Sequence, residues 1–396
     1  MFPRISDLIN YLLGTRIVIP VQSYGFMLAL SFLIGACFLY LELKRKELAG
    51  EIPAQQKKVL KGAPASFIEL ISAAIFGFLI GWKGIGFLLE YSSFSLNPQE
   101  FILSGEGSFI SGILLAAGLA YLTYIQKKKK ELKPPVWEEI TIHPRQLTGN
   151  IVLVAAIFGI IGSKIFDILE RPDDLFRDPL GTIFSFSGLT FYGGLIIAAV
   201  AVVYYASRNR ITFPQITDAV APSLILSYAI GRIGCQLSGD GCWGVINPDP
   251  KPSWLGFLPD WVWSFQYPHN VIDEGIRIPN CTTDHCFILA NPVYPTPFYE
   301  TVLCLLIFII LWSIRKHLKI PGYLFSVYLI LNGIERFLME HLRINKVYSF
   351  FGIKLTQAEM IALFLILLGC SGFWFFRWMK AKKPTRKKMT PSSTAN

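Results

Sequence analysis

The chain has 396 residues, of which 53% are hydrophobic and only 16% charged, and it carries a formal net charge of +10. A soluble domain carries about 25% charge, so this composition excludes an ordinary soluble enzyme. The basic excess sits in short blocks between apolar runs, which excludes nucleic acid as a partner and points to a lipid bilayer.

Apolar runs of near-span length recur along the chain, and they are too long for barrel strands. The expected fold class is therefore an all-α polytopic membrane protein with about nine transmembrane helices. In chain order the spans are expected at roughly 18–40, 66–89, 108–126, 149–169, 188–206, 217–237, 297–315, 321–341 and 357–379. Met1–Thr15 has no A-x-A site after a short apolar region, so the first span is expected to be a retained anchor.

Basic blocks follow every second span: Lys44–Lys46, Lys127–Lys130, Arg208 with Arg210, Arg315–Lys319 and Lys380–Lys388. One orientation satisfies all of them, with the N-terminus outside and the C-terminus inside. Within this layout the chain divides into a membrane domain over 1–380, a small extracytoplasmic head over 238–295 and a basic cytoplasmic tail over 381–396.

Two stretches repeat. Residues 73–90 read AAIFGFLIGWKGIGFLLE, and residues 155–170 read AAIFGIIGSKIFDILE. FISGILLAA at Phe109 matches FYGGLIIAA at Phe191, again 82 residues on. The shared offset argues that 65–130 is an extra hairpin resembling 149–206; small-residue packing alone would be the simpler source of such similarity. The second copy carries Tyr192 and Gly193 where the first has Ile110 and Ser111.

The most informative stretch is GRIGCQLSGDGCWG, Gly231 to Gly244. An arginine at the end of an apolar helix is costly unless it meets an anion or a carboxylate, and glycines let the backbone approach a ligand. Arg232 and Asp240 are thus expected to hold an anionic group at a membrane surface. In the penultimate span, Arg336, Glu340 and Arg343 fall at i, i+4 and i+7 and share one helical face, while Glu335 lies about 100° around it. YPTPFYE at 294–300 opens a span, and Glu300 either initiates that helix or orients an arginine. Tyr24 in the first span reads as a packed or interfacial residue.

Cys242, Cys281 and Cys286 fall in the head, where disulfides are permitted. Their odd number leaves one free unless Cys235 joins them. Cys37, Cys304 and Cys370 read as apolar fillers of spans. His269 and His285 match no strong metal-ligand spacing, and there is no P-loop, Rossmann fingerprint or HExxH. No metal and no cofactor are expected. Trp254, Trp261 and Trp263 are read as an aromatic belt.

These motifs coincide with one family. Tyr24-Gly25, IIGSKIFDILE, SGLTFYGGLI at 187–196, the segment 218–244, YPTPFYE and ERFLMEHLR at 335–343 make the chain resemble the prolipoprotein diacylglyceryl transferases. The resemblance covers nearly the whole chain apart from about 45–140. It implies transfer of a diacylglyceryl group from phosphatidylglycerol to the lipobox cysteine of a prolipoprotein signal peptide, with glycerol phosphate released. It also implies a bacterial cytoplasmic (inner) membrane location, with the active site toward the extracytoplasmic side. Its essential arginine maps onto Arg232 and its second arginine onto Arg336; Tyr192 stands where a histidine is common. The resemblance makes Arg232, Arg336 and Tyr192 the catalytic candidates. It makes Tyr24, Gly193, Gly194, Asp240, Gly244, Glu300, Glu340 and Arg343 the substrate-binding ones. Asp240 departs from the commoner glutamate, Cys235 replaces an asparagine, Gly241 is an insertion and Tyr294 replaces a histidine. The alternatives are a non-catalytic lipid-binding paralogue, which the departures at Tyr192 and Cys235 keep open, and a membrane transporter, which the repeated hairpin would suit.

Overall fold

The computed structural model describes residues 1–17, 19–89, 101, 105–184, 190–343, 345, 347–350 and 353–382. The first three residues of the SGLTFYGGLI motif, 187–189, and nearly all of the 381–396 tail lie outside the described residues.

The helices follow the apolar runs. A short amphipathic helix α1 (Ile5–Leu13) precedes α2 (Ser23–Leu48). The inserted hairpin is α3 (Phe67–Leu79), extended to Leu89 through a π-helical turn at Ile80–Ile85, and α4 (Phe109–Lys129). Then come α5 (Thr148–Glu170), the short α6 (Pro172–Arg177) and α7 (Pro179–Phe184), and α8 (Phe191–Arg208). The second half holds α9 (Phe213–Ser238), α10 (Thr296–Ile314), α11 (Tyr323–Glu340) and α12 (Gln357–Lys382).

Eight helices among the described residues are long and apolar enough to cross a membrane. Eight of the nine expected spans are therefore met on that measure. The exception is α11, whose eighteen residues include Glu335, Arg336 and Glu340; the charge that makes it interesting also lowers its apolar content.

Helix α9 is the centre of the bundle, with half of its apolar window buried against a sixth to a third for most of the others. It packs on α2 and α10. Toward its start, Ile216 and Ala219 join Leu39 and Leu43 of α2, Ile151 of α5 and Val202 and Ala206 of α8 in one core. Further along, Ile225 and Ala229 pack with Cys304, Ile307 and Leu311 of α10 and Leu324 of α11. Helices α11 and α12 cross tightly: a Cβ at Gly333 would lie 2.7 Å from the Ala362 carbonyl oxygen. Asp218 of α9 seats α11 by accepting from the Gly322 and Phe325 amides at 2.7 and 2.8 Å. On the side bearing the basic loops, buried Glu42 of α2 pairs with Arg45 at 2.7 Å and Arg315 at 3.1 Å.

The two similar hairpins are each closed by small residues. In the insert, a Cβ at Gly81 would lie 2.3 Å from the Ser111 carbonyl oxygen, so only glycine admits α4 there. In the second, a Cβ at Gly162 would lie 2.5 Å from the Gly193 carbonyl oxygen of α8. The insert also has a feature absent from the sequence reading. Strands β1 (Gln55–Lys61) and β2 (Val136–Ile142) pair antiparallel at its base over seven residues. Their side chains are almost all exposed and show no in-out alternation of burial, so periodicity gives no strand signal.

The head spans the α9–α10 connection. Its core is Trp243, Tyr267, Leu289 and Val293. A two-residue pairing of β3 (Ile276–Arg277) with β4 (Phe287–Ile288) lies beside a Cys281–Cys286 disulfide. Cys242 and Cys235 are free thiols. Arg4 pairs with Asp284 and ties the N-terminus to the head. Trp254 is exposed, Trp261 packs edge-on against Phe298, and Trp263 donates to the Asp249 carbonyl at 2.9 Å.

Candidate active site

The site forms where α9 ends, α10 begins and α11 ends. The ends are set locally. Gly239 takes the left-handed conformation, with φ of 65°, and stops α9 just beyond Arg232. Pro295 and Pro297 bracket the start of α10 and place Glu300 in its first turns. Thr296 locks that start by donating to the Cys242 carbonyl at 2.7 Å, and Thr301 donates back to the Ala229 carbonyl of α9 at 3.4 Å.

Glu300 is the hub, with no solvent-exposed surface. Its Oε2 pairs with Arg232 Nε. Its Oε1 meets Arg343 Nη1 at 3.2 Å and Arg336 Nη1 at 3.5 Å. Arg336 Nη2 also meets Glu340 Oε2 at 3.1 Å, and the other oxygen of Glu340 accepts from Asn345 at 2.5 Å. Arg232 donates to the Tyr228 hydroxyl at 3.2 Å and lies over that ring at 5.3 Å. Arg336 and Glu340 share the helical face that their spacing predicts, whereas Arg343 joins them from the turn beyond the end of α11; the group closes on Arg232 through a carboxylate from a third helix.

Three arginines meet two carboxylates here, leaving one positive charge over. That excess suits a phosphodiester, which carries one negative charge. Glu335 is buried beside them, within electrostatic reach of Glu300 and all three arginines but with neither carboxylate oxygen hydrogen-bonded; its ionised form would cancel the excess.

Asp240 does not pair with Arg232, whose carboxylate partner is Glu300. Instead its Oδ1 accepts from the Cys242 amide at 3.2 Å and closes the 239–242 turn. Gly241, with φ of 86°, completes that turn. Cys235, Asp240 and Cys242 each bring one metal-ligand atom within 4.8 Å of the others. Three such donors fit a thiophilic cation, but Arg232 Nη1 lies 3.7 Å from Cys235 Sγ and sets a positive charge against it. His269 and His285 are engaged elsewhere, with the His285 carbonyl at 2.7 Å and with Asp273 at 3.2 Å.

Tyr24, at the start of α2, lies within electrostatic reach of Arg232, Cys235, Asp240 and Cys242, and Tyr192 lies within reach of Arg336. The glycines have a different reason. A Cβ at Gly193 would sit 2.4 Å from Phe166 Cβ, one at Gly194 2.8 Å from the Gly159 carbonyl oxygen, and one at Gly244 2.5 Å from the Leu342 carbonyl oxygen. Close backbone packing accounts for all three, so their absent side chains do not need a substrate to explain them.

The family model for prolipoprotein diacylglyceryl transferase matches residues 110–375, which contain this cluster and run from the start of α4 into α12. The chain belongs to that family. A phosphatidylglycerol–prolipoprotein diacylglyceryl transferase of Leptospira interrogans is 24% identical over 73% of this chain and 95% of its own length. Those of Staphylococcus xylosus and Staphylococcus aureus are 27% identical, covering 76% and 74% of this chain and 96% and 94% of theirs. The family match starts inside the inserted hairpin, at 110, so the first helix of the insert stands outside it. Cys242 is the residue the sequence reading undervalued; its signal was its seven-residue distance from Cys235 across two glycines.

Proposed function

We propose that this member of the family transfers the diacylglyceryl group of phosphatidylglycerol to the cysteine thiol of a prolipoprotein lipobox, and that the arginine cluster around Glu300 is where the lipid phosphate is held. The observation that carries this reading is a set of three partly buried arginines held on two buried acids where three helices of the bundle meet. A phosphate entering between Arg232 and Arg336 replaces contacts that the arginines make with Glu300, so the site is ordered before the lipid arrives.

The reaction forms a C–S bond and breaks a C–O bond. The thiolate attacks the glycerol carbon that bears the phosphate ester, and glycerol phosphate leaves with the bonding pair. Negative charge grows on the leaving oxygen, next to guanidinium groups in a low-dielectric site, where such stabilisation is strong. The thiol proton must leave, because the thiolate is the nucleophile. Tyr192, beside Arg336, is proposed either to accept that proton or to donate a hydrogen bond to the bound lipid. Tyr24 and Asp240 border the cluster on the α2 side and are proposed to shape the approach of the peptide.

Alternating basic loops support a multi-pass placement in the bacterial cytoplasmic membrane with α1 and the head outside. The Cys281–Cys286 disulfide in the head is consistent with that side being oxidising. Purified protein supplied with phosphatidylglycerol and a lipobox peptide should release glycerol phosphate. Arg232→Ala and Arg336→Ala should each abolish release while remaining folded; undiminished turnover in both would sink the assignment.

A further inference from the structure

We propose that Cys235 and Cys242 form a redox-sensitive thiol pair at the edge of the arginine cluster, a modification site that a hydroperoxide closes into a disulfide. The two residues sit on different elements, Cys235 on the last turns of α9 and Cys242 in the loop beyond it. Gly239 and Gly241, both in the left-handed region at φ of 65° and 86°, turn the chain back on itself. The Asp240 contact with the Cys242 amide holds that turn. The two sulfurs are left within 4.8 Å of each other.

The surroundings favour oxidation over metal capture. Arg232 reaches Cys235 Sγ at 3.7 Å, and a guanidinium beside sulfur stabilises thiolate while repelling a cation. The thiol of Cys242 is held below the ordinary thiol range, first by the hydrogen bond from Cys235, against burial, with Arg232 and Arg343 assisting. Cys242 is half-buried, whereas Cys235 is buried, so Cys242 is the sulfur a small oxidant reaches. The same face of the protein already carries a disulfide at Cys281–Cys286.

The chemistry balances in two steps. The Cys242 thiolate attacks one oxygen of the hydroperoxide, whose O–O bond breaks. With one proton taken up, this gives a Cys242 sulfenic acid and an alcohol, or water where the oxidant is hydrogen peroxide. Cys235 sulfur then attacks Cys242 sulfur, the S–O bond breaks, and water leaves carrying the Cys235 proton. The disulfide removes the sulfur partner of Arg232 and fastens the loop that carries Asp240 to α9. That loop also holds the first turn of α10 through Thr296, so the phosphate site is locked in one arrangement.

Only the activity arm of the test rests on the proposed transferase reading. Full-length protein in detergent is treated with hydrogen peroxide, quenched with catalase, denatured and alkylated, then digested with trypsin. The peptide 233–277 contains Cys235 and Cys242 and no other cysteine. After peroxide it should lose two hydrogens and carry no alkyl group, and dithiothreitol should restore both sites. Glycerol phosphate release should fall by about tenfold, the scale of one hydrogen bond to a charged group, and recover with dithiothreitol. Cys242→Ala should abolish the response of both peptide and activity to peroxide, whatever its basal rate. Two alkyl groups on the peroxide-treated peptide would overturn the proposal. So would a bound metal that shields both cysteines until a chelator is added, or a disulfide that leaves turnover untouched. A disulfide in protein that is inactive before and after treatment would leave the thiol pair standing and remove the transferase reading instead.

Discussion

Glu300→Gln tests how the arginines are held. The substitution keeps shape and removes one negative charge from the centre of three cationic contacts, two of them at 3.2 and 3.5 Å. Glu300 has no exposed surface, so water cannot take over. Breaking a buried pair by neutralising one partner costs about 3–5 kcal/mol, mostly as the penalty of leaving the other charge unpaired. Thermal unfolding in detergent should therefore shift downward by that equivalent. Phosphatidylglycerol supplies the missing anion, so it should stabilise the variant more than the parent protein. At a lipid concentration a hundred times the dissociation constant, the ligand contributes about 2.7 kcal/mol, which would recover most of the loss. A zwitterionic lipid should recover less of it. Equal stabilisation of both proteins by phosphatidylglycerol would refute the idea that lipid phosphate and Glu300 compete for the same arginines.

Four further outcomes follow from other contacts. Gly193→Ala forces a methyl to within 2.4 Å of Phe166; it should lower the folded yield, with KM for the lipid unchanged in what survives, and a raised KM alone would restore a substrate role. Asp218→Asn weakens a carboxylate cap on α11, so unfolding should show a loss of about 1–2 kcal/mol, the range for helix caps and charges at helix ends. Cys235→Ala removes the donor that lowers the Cys242 thiol. The pH midpoint for alkylation of Cys242 should then rise, and its rate at pH 7 should fall. Tyr192→Phe keeps the ring and removes the hydroxyl beside Arg336; full activity would exclude Tyr192 as the proton acceptor.

Much of the architecture was legible because hydropathy and charge report on a bilayer directly. Apolar runs located the helices, and the spacing of Arg336 and Glu340 gave their shared face, while Arg343 reaches the same cluster from beyond the helix end. Glu300 was readable only as one of two options, since nothing local shows that a carboxylate in the first turns of one helix will meet arginines from two others. Asp240 was placed near Arg232 by sequence, but its contact with the Cys242 amide depends on the turn beyond the helix end, which the sequence does not display. Gly193, Gly194 and Gly244 looked like places for a ligand, yet the backbone carbonyls and side chains opposite them come from segments distant in sequence. The Cys235–Cys242 contact depends on two left-handed glycines, and a sequence displays glycines without their φ. The β1–β2 pairing was hidden because exposed strands such as these carry no burial pattern.

That pairing has a mechanical consequence. The inserted helices α3 and α4 pack chiefly on each other and are joined to the rest of the chain through the two strands at their base. Among the described residues, that sheet is what ties the hairpin to the rest of the chain. A sideways load on the hairpin would be met by seven residue pairs of sheet before it reached the α9–α11 cluster. A change in the tilt of the hairpin about that sheet would therefore leave the alignment of the three arginines undisturbed.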